Sequence, residues 1–166
     1  TPVKLTLSGT MRSRGGIARK ISRQLLLDSA SVHSALCDAS LLKEFGVAPS
    51  NVFSLFIPDT YEIYWTASVR DVLSRMKDAC DALWTEDNLA KAKSLGLDRE
   101  QVSILASIVC AESNCEKELP LIAGVYLNRL SRGMLLQADP TVAFCFDYKP
   151  ERILARHLAV DSPYNT

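Results

Sequence analysis

The chain has 166 residues, 48% of them hydrophobic and 23% charged, with 19 basic and 19 acidic side chains. That length suits one ordinary domain or a domain carrying a smaller lobe, and the composition excludes intrinsic disorder. A net charge of zero removes the basic surplus that a nucleic-acid binder or a polybasic membrane-surface module requires.

Val3-Lys4-Leu5-Thr6-Leu7 alternates apolar and polar residues as a half-buried strand does, and Ser8-Gly9-Thr10 follows as a turn. Gly15-Gly16 leads into Ile17, Ala18, Ile21 and Leu25 at helical spacing. A second helical pattern begins at Ser29 to Ser31 and carries Val32, Leu36, Leu41, Leu42 and Phe45 up to Gly46. Residues 1–50 thus read as strand, helix, helix, with a lobe boundary expected in Val47 to Asn51. Val52 to Ile57 and Tyr61 to Trp65 are β-prone runs parted by Pro58-Asp59-Thr60.

Beyond them the period is helical. Thr66 or Ser68 caps a helix through Val69, Val72, Leu73, Met76 and Leu83, and another runs from Glu86 to Leu95 and stops at Gly96. Asp98 with Gln101 is a capping-box opening for a helix reaching Asn114. Pro120 suits the first turn of a helix to Leu130 or Ser131, closed by Gly133, and a last short helix is expected over Pro150 to Leu158. The longest apolar stretch, Val102 to Ala111, is broken by Ser103 and Ser107 and falls far short of the ~20 residues of a membrane helix. The opening at Thr1 without methionine and the ending at Tyr164-Asn165-Thr166 lead us to expect a piece of a longer protein.

Cysteine offers little. The five (Cys37, Cys80, Cys110, Cys115, Cys145) form no C-x-x-C pair, and His33 and His157 lie far apart. No zinc spacing is present, so buried cysteines acting as small apolar side chains are expected.

Glu112 is the informative residue. Leu105, Val109 and Glu112 stand at i, i+4 and i+7 of the same helix, flanked by Val102 and Ile108, so the glutamate falls in the apolar sector. Either it ends the helix and reaches solvent or Arg129, or it faces a cleft. In the second case an apolar wall and the negative end of the helix dipole would both favour its protonated form, as a general acid requires. A second polar cluster follows. Asn128 and Arg129 interrupt an apolar helix, and Gln137, Asp139 and Thr141 alternate as if along an extended run held by Asp139-Pro140. The alternative for that run is a solvated strand edge. Asp161-Ser162-Pro163-Tyr164-Asn165-Thr166 combines amide, hydroxyl and aromatic groups suited to sugars.

Ala106-Ser107-Ile108-Val109 with Glu112-Ser113, then Ala123-Gly124-Val125-Tyr126-Leu127-Asn128-Arg129-Leu130, then Gly133-Met134-Leu135-Leu136-Gln137-Ala138-Asp139-Pro140-Thr141-Val142, and the terminal Asp161 to Thr166 motif, resemble the endolytic murein transglycosylase, or YceG-like, family. Ile57-Pro58-Asp59-Thr60-Tyr61-Glu62 is similar to that family's FPDTY segment. The resemblance covers residues 52–166, and the first lobe is similar in order to the family's LysM-like subdomain. It departs at Cys110, where many members carry a further glutamate, and it stops short of a Gly-Leu-Pro-Pro-Gly segment that borders the family's cleft, which implies an incomplete site.

The resemblance implies an α+β, predominantly helical protein with a LysM-like lobe over residues 1–50. A helical, lysozyme-like catalytic lobe over 51–166 would have its cleft edged by short strands. It implies cleavage of the β-1,4 bond between N-acetylmuramic acid and N-acetylglucosamine, with 1,6-anhydro ends. Glu112 would act as the single acid and then base, with no cofactor and no metal. Tyr61, Glu62, Ser113, Asn128, Gln137, Asp139, Thr141, Tyr164 and Asn165 are the expected substrate-binding residues, Tyr61 by stacking on a ring. The partners implied are peptidoglycan glycan strands and cell-wall synthesis proteins. The place implied is the outer, periplasmic face of a bacterial cytoplasmic membrane, with an upstream anchoring helix, although an odd cysteine count is unusual in an oxidising compartment. Three other readings are distinct. Asp139 could be a second carboxylate of a hydrolase, which would leave reducing ends. The fold could be a non-catalytic peptidoglycan-binding scaffold. Cys110 and Cys115 could form a thiol or metal site, but five residues turn about 500° on a helix, so the two diverge.

Overall fold

In a computed structural model, which describes residues 1–9 and 11–165, the chain is α+β and about half helical, with a single two-stranded sheet among the described residues. Thr10 of the expected turn and Thr166 of the terminal motif lie outside the described residues. Two compact units divide between Lys91 and Ala92.

In the first unit, strand β1 (Pro2–Leu7) pairs antiparallel with β2 (Asp59–Tyr64), with Leu5 opposite Tyr61 and Val3 opposite Ile63. The alternation read in the sequence turns Leu5, Leu7, Tyr61 and Ile63 inward. Between the strands come α1 (Arg14–Ser22), α2 (Ser29–Ala35) and α3 (Ala39–Glu44). The single helix expected from Ser29 to Phe45 is two, because the Asp38 carboxylate accepts from the N–H groups of Ser40 and Leu41 and starts a new helix. Val52 to Ile57 is not a strand but begins with a 3₁₀ turn, Val52–Leu55. There Asn51 takes the Ala48 N–H on its side chain (2.7 Å), and its carbonyl takes both the N–H and the hydroxyl of Ser54. These local bonds satisfy the backbone without a sheet partner.

Helix α4 (Val69–Leu83) opens on a reciprocal Ser68–Asp71 capping box and turns Val72, Leu73 and Met76 inward. Together these elements enclose a core of eighteen buried side chains that runs from Leu5 to Met76. That core overturns the boundary expected near residue 50: β2 and α4 complete the hydrophobic enclosure begun by β1 and α1, so residues 51–91 belong with the first lobe.

The division falls within α5 (Glu86–Ser94). Helix α6 (Arg99–Glu112) begins at the expected Asp98–Gln101 box, with bonds of 2.8 and 2.9 Å. Helix α7 (Leu119–Ser131) carries its proline in the first turn and is followed by Gly133 at φ +64°, a backbone conformation that a side chain would strain. Helix α8 (Asp139–Cys145) replaces the extended run expected around Gln137, Asp139 and Thr141. Pro140 sits in its first turn, where a missing N–H costs nothing, and Asp139 meets the positive end of the helix. No strand edges this unit among the described residues. The expected helix over Pro150 to Leu158 is a series of turns, in which His157 Nδ1 accepts from the Leu154 N–H at 3.0 Å. The core of the second unit is small, with Leu105, Ile108, Val109, Tyr126 and Ala138 buried and six further apolar side chains packed on them.

Candidate functional site

Helix α6 buries Leu105, Ile108 and Val109, and its last residue is Glu112. The helical arithmetic puts the carboxylate in line with that apolar face, and the structure keeps it near there. The desolvating wall expected around it is missing: Glu112 is exposed. Its Oε1 accepts a hydrogen bond from the hydroxyl of Tyr126, one helix away on α7. Tyr126 itself is 7% exposed and belongs to the core of this unit. Burial first, and then the bond to Glu112 and its negative charge, push the Tyr126 hydroxyl far above the usual tyrosine range. Arg129 pulls in the opposite sense, and Asp139 adds to the upward push. Tyr126 is thus a firm donor, bonded to Glu112 and acted on by the charges of Arg129 and Asp139.

The sequence reading passed over Tyr126, though a signal was there. Ile122, Ala123 and Tyr126 share one face of α7 at i, i+1 and i+4, and a tyrosine on an apolar face needs a partner for its hydroxyl. The pairing of Glu112 with Arg129 considered above is not the arrangement found. The Arg129 guanidinium instead donates to the carbonyls of Leu135 (2.8 Å) and Leu136 (3.0 Å) and to Gln137 Oε1 (3.0 Å). It ties the segment after Gly133 back onto α7, and Gln137 lies there at φ +53°.

The other expected residues fall into three groups. Asn128, Asp139 and Tyr164 are exposed on the second unit, and Tyr164 packs edge-on against Phe144 with ring centroids 4.8 Å apart. Polar groups of Ser113, Gln137, Thr141 and Asn165 are engaged within the protein. Ser113 Oγ donates to Glu118 at 2.6 Å, Gln137 accepts from Arg129, Thr141 donates to the Ala138 carbonyl at 2.8 Å, and Asn165 Nδ2 donates to the carbonyls of Leu158 and Val160, both at 2.8 Å. Tyr61 and Glu62 belong to the first unit. Tyr61 is 2% exposed, its hydroxyl donates to the Ile57 carbonyl at 2.5 Å, and the Arg75 guanidinium lies over its ring at 5.6 Å. A ring so enclosed cannot stack on a sugar, which corrects the role expected for it. Glu62 is exposed beside a shallow hollow lined also by Tyr64, Asp71, Arg75 and Asp78.

All five cysteines are free; Cys37, Cys110 and Cys115 are exposed and Cys80 and Cys145 half-buried, against the expectation of buried thiols. Among the described residues no three His, Cys, Asp or Glu side chains gather as a metal site, and no helix is long and apolar enough to cross a membrane.

The second unit therefore defines a class of site: one solvent-reaching carboxylate at the C-terminal end of a helix, held on one oxygen by a buried tyrosine from the next helix. The profile of the YceG-like family matches residues 3–166, and the chain belongs to that family. Over 99 residues it is 30% identical to an endolytic murein transglycosylase of Bacillus subtilis (strain 168), covering 60% of this chain and 27% of that one. Over 154 residues it is 26% identical to an endolytic murein transglycosylase of Streptococcus pneumoniae serotype 2, covering 90% of this chain and 28% of the other. The chain thus spans 27% and 28% of the lengths of these curated relatives. The crystal structure of a yceG-like protein from Listeria monocytogenes matches at a TM-score of 0.77 and 25% identity, over 99% of this chain and 59% of that one.

Proposed function

We propose that the chain carries the acid/base glutamate of an endolytic peptidoglycan lytic transglycosylase, and that this glutamate is Glu112. The observation that carries the reading is the exposed carboxyl at the end of α6, with one oxygen anchored by Tyr126. A glycan strand is a long polymer, so the acid that cuts within it must stand open to solvent and yet be held in one orientation. The names of the relatives from Bacillus subtilis and Streptococcus pneumoniae support the same substrate class.

In the proposed reaction Glu112 gives its proton to the oxygen that bridges N-acetylmuramic acid and N-acetylglucosamine as the bond to C1 breaks. The carboxylate left behind takes the proton of the muramic acid 6-hydroxyl while that oxygen bonds to C1, and the product ends in a 1,6-anhydro ring. The proton count closes on one residue, with no water consumed. On the second unit, the exposed side chains of Asn128, Asp139 and Tyr164 would take sugar groups. Gln137, Thr141, Ser113 and Asn165 would serve instead by holding the backbone that presents them. The strand–helices–strand order of the first unit fits a LysM-like module with β2 as its closing strand. In this reading the whole protein would work in the bacterial envelope, on the outer face of the cytoplasmic membrane.

The test is digestion of sacculi with mass spectrometry of the products. The protein releases anhydro-muropeptides, and Glu112→Gln lowers release by about 10²–10⁴-fold, the scale of general acid–base catalysis, while sacculus binding is kept. Equal release by the variant removes Glu112 from the mechanism. Reducing ends in place of anhydro ends would instead favour a hydrolase using Asp139, and binding with no release at all a scaffold.

A further inference from the structure

Resting on the transglycosylase reading above, we infer that Tyr126 is a positioning residue, whose hydroxyl occupies Glu112 Oε1 and so leaves Oε2 as the oxygen that exchanges the proton with the sugar.

Three observations carry this. First, the bond joins two different helices, from a core side chain to an exposed one. A glutamate at a helix end, free in solvent, would sample several rotamers; one tethered to a buried ring samples few. Second, the tyrosine is anchored from behind, packed in the same cluster as Leu105, Ile108, Val109 and Ala138. Its hydroxyl therefore has a fixed origin, and the carboxyl group must come to it. Third, the hydroxyl stays protonated through the whole range in which a glutamate acid works, because burial and the neighbouring Glu112 both oppose its ionisation while only Arg129 favours it. A neutral donor can serve both the carboxylic acid and the carboxylate, so the tether holds through both halves of the reaction.

The charged neighbours fit the same role. Arg129 is committed to the Leu135 and Leu136 carbonyls and to Gln137, and Asp139 acts on Tyr126 as a further negative charge. Tyr126 thus stands where the orientation of Glu112 and the seating of the 134–139 segment meet.

Tyr126→Phe isolates the effect, since it removes the hydroxyl and leaves the ring in the core. With soluble glycan strands as substrate, kcat is expected to fall roughly ten- to a hundredfold, the scale of a small misplacement of a reacting group, with KM unchanged. In the Glu112→Gln background the same substitution should cause no further loss. Independently of activity, the ¹³C carboxyl signal of Glu112 should move in Tyr126→Phe while the helical circular dichroism stays the same. Wild-type turnover in Tyr126→Phe, or an unmoved carboxyl signal, overturns the inference and leaves the transglycosylase reading standing. A parallel rise in KM, or an equal loss in the Gln background, makes Tyr126 merely structural and overturns it too. A wild-type protein that releases no anhydro ends fails the transglycosylase reading itself, and the catalytic purpose of the tether falls with it even if the carboxyl signal moves.

Discussion

The two units use buried tyrosines in opposite ways. In the first, Tyr61 lies in a core of eighteen sealed side chains and spends its hydroxyl on a main-chain carbonyl, that of Ile57. In the second, Tyr126 lies in a core of five and spends its hydroxyl on the side chain of an exposed acid. Both hydroxyls are pushed up by burial, but only Tyr126 is pushed further by a carboxylate it directly binds; the Asp59 charge acts on Tyr61 without a bond. The first pairing closes a fold on itself. The second reaches from the core to the surface, and surface chemistry needs such a reach. A thin core with open side chains around it is a poorer source of stability.

That contrast can be broken at several points. The largest expected effect is in the sealed core: Met76→Ala, at a site with no exposure, should cost about 2–5 kcal/mol in urea denaturation. Ile108→Ala in the second unit, at 9% exposure, should fall at or below about 2 kcal/mol, since its surroundings can collapse or admit water. Equal losses would mean that the second core is as tight as the first.

A smaller effect belongs to alkaline pH. The folded value of Tyr126 is raised above its unfolded value near 10. Above pH ~10 the unfolded chain releases this proton while the folded chain keeps it, so stability present below that pH is lost as pH rises, by up to about 1.4 kcal/mol per pH unit for one proton. Tyr126→Phe should lack that share of the slope, and identical slopes in the two proteins would contradict the assignment.

The smallest effect sharpens the comparison most. Tyr61→Phe should lose about 1 kcal/mol, the worth of one hydrogen bond left without its donor, and should leave anhydro-muropeptide release untouched. Tyr126→Phe should instead slow that release. If Tyr61→Phe slowed release, the division of roles between the units would be wrong.

Much of this architecture was legible residue by residue. The Val3 to Leu7 alternation, the Asp98–Gln101 box, Pro120 at the start of α7 and Gly133 after its end all appear where the sequence places them. The last three are settled by bonds that span only a few residues, while the strand shows in its alternation although its partner lies at Asp59–Tyr64. The two misread strands have one cause. Val52 to Ile57 has strand composition, and Gln137 to Thr141 has strand alternation, but neither segment meets a second strand, and local hydrogen bonds from Asn51 and the first turn of α8 take them instead. The boundary near Pro49 fails for the opposite reason: β1 finds its partner beyond it, at Asp59–Tyr64.

The candidate acid was legible as well, from a glutamate in line with Leu105 and Val109. What surrounds it was not. Periodicity tells which side of a helix faces inward, and it told that for α6. It carries no information on which residue of a neighbouring helix will lie opposite. That Oε1 of Glu112 meets the hydroxyl of Tyr126, that Arg129 turns away to the Leu135 and Leu136 carbonyls, and that the carboxyl ends in solvent were decided when α6, α7 and the segment before α8 packed together. Sequence alone determined α6, α7 and the placement of an acid at the end of α6; packing decided its partner, since a hydrogen bond between helices depends on distances that no single helix defines.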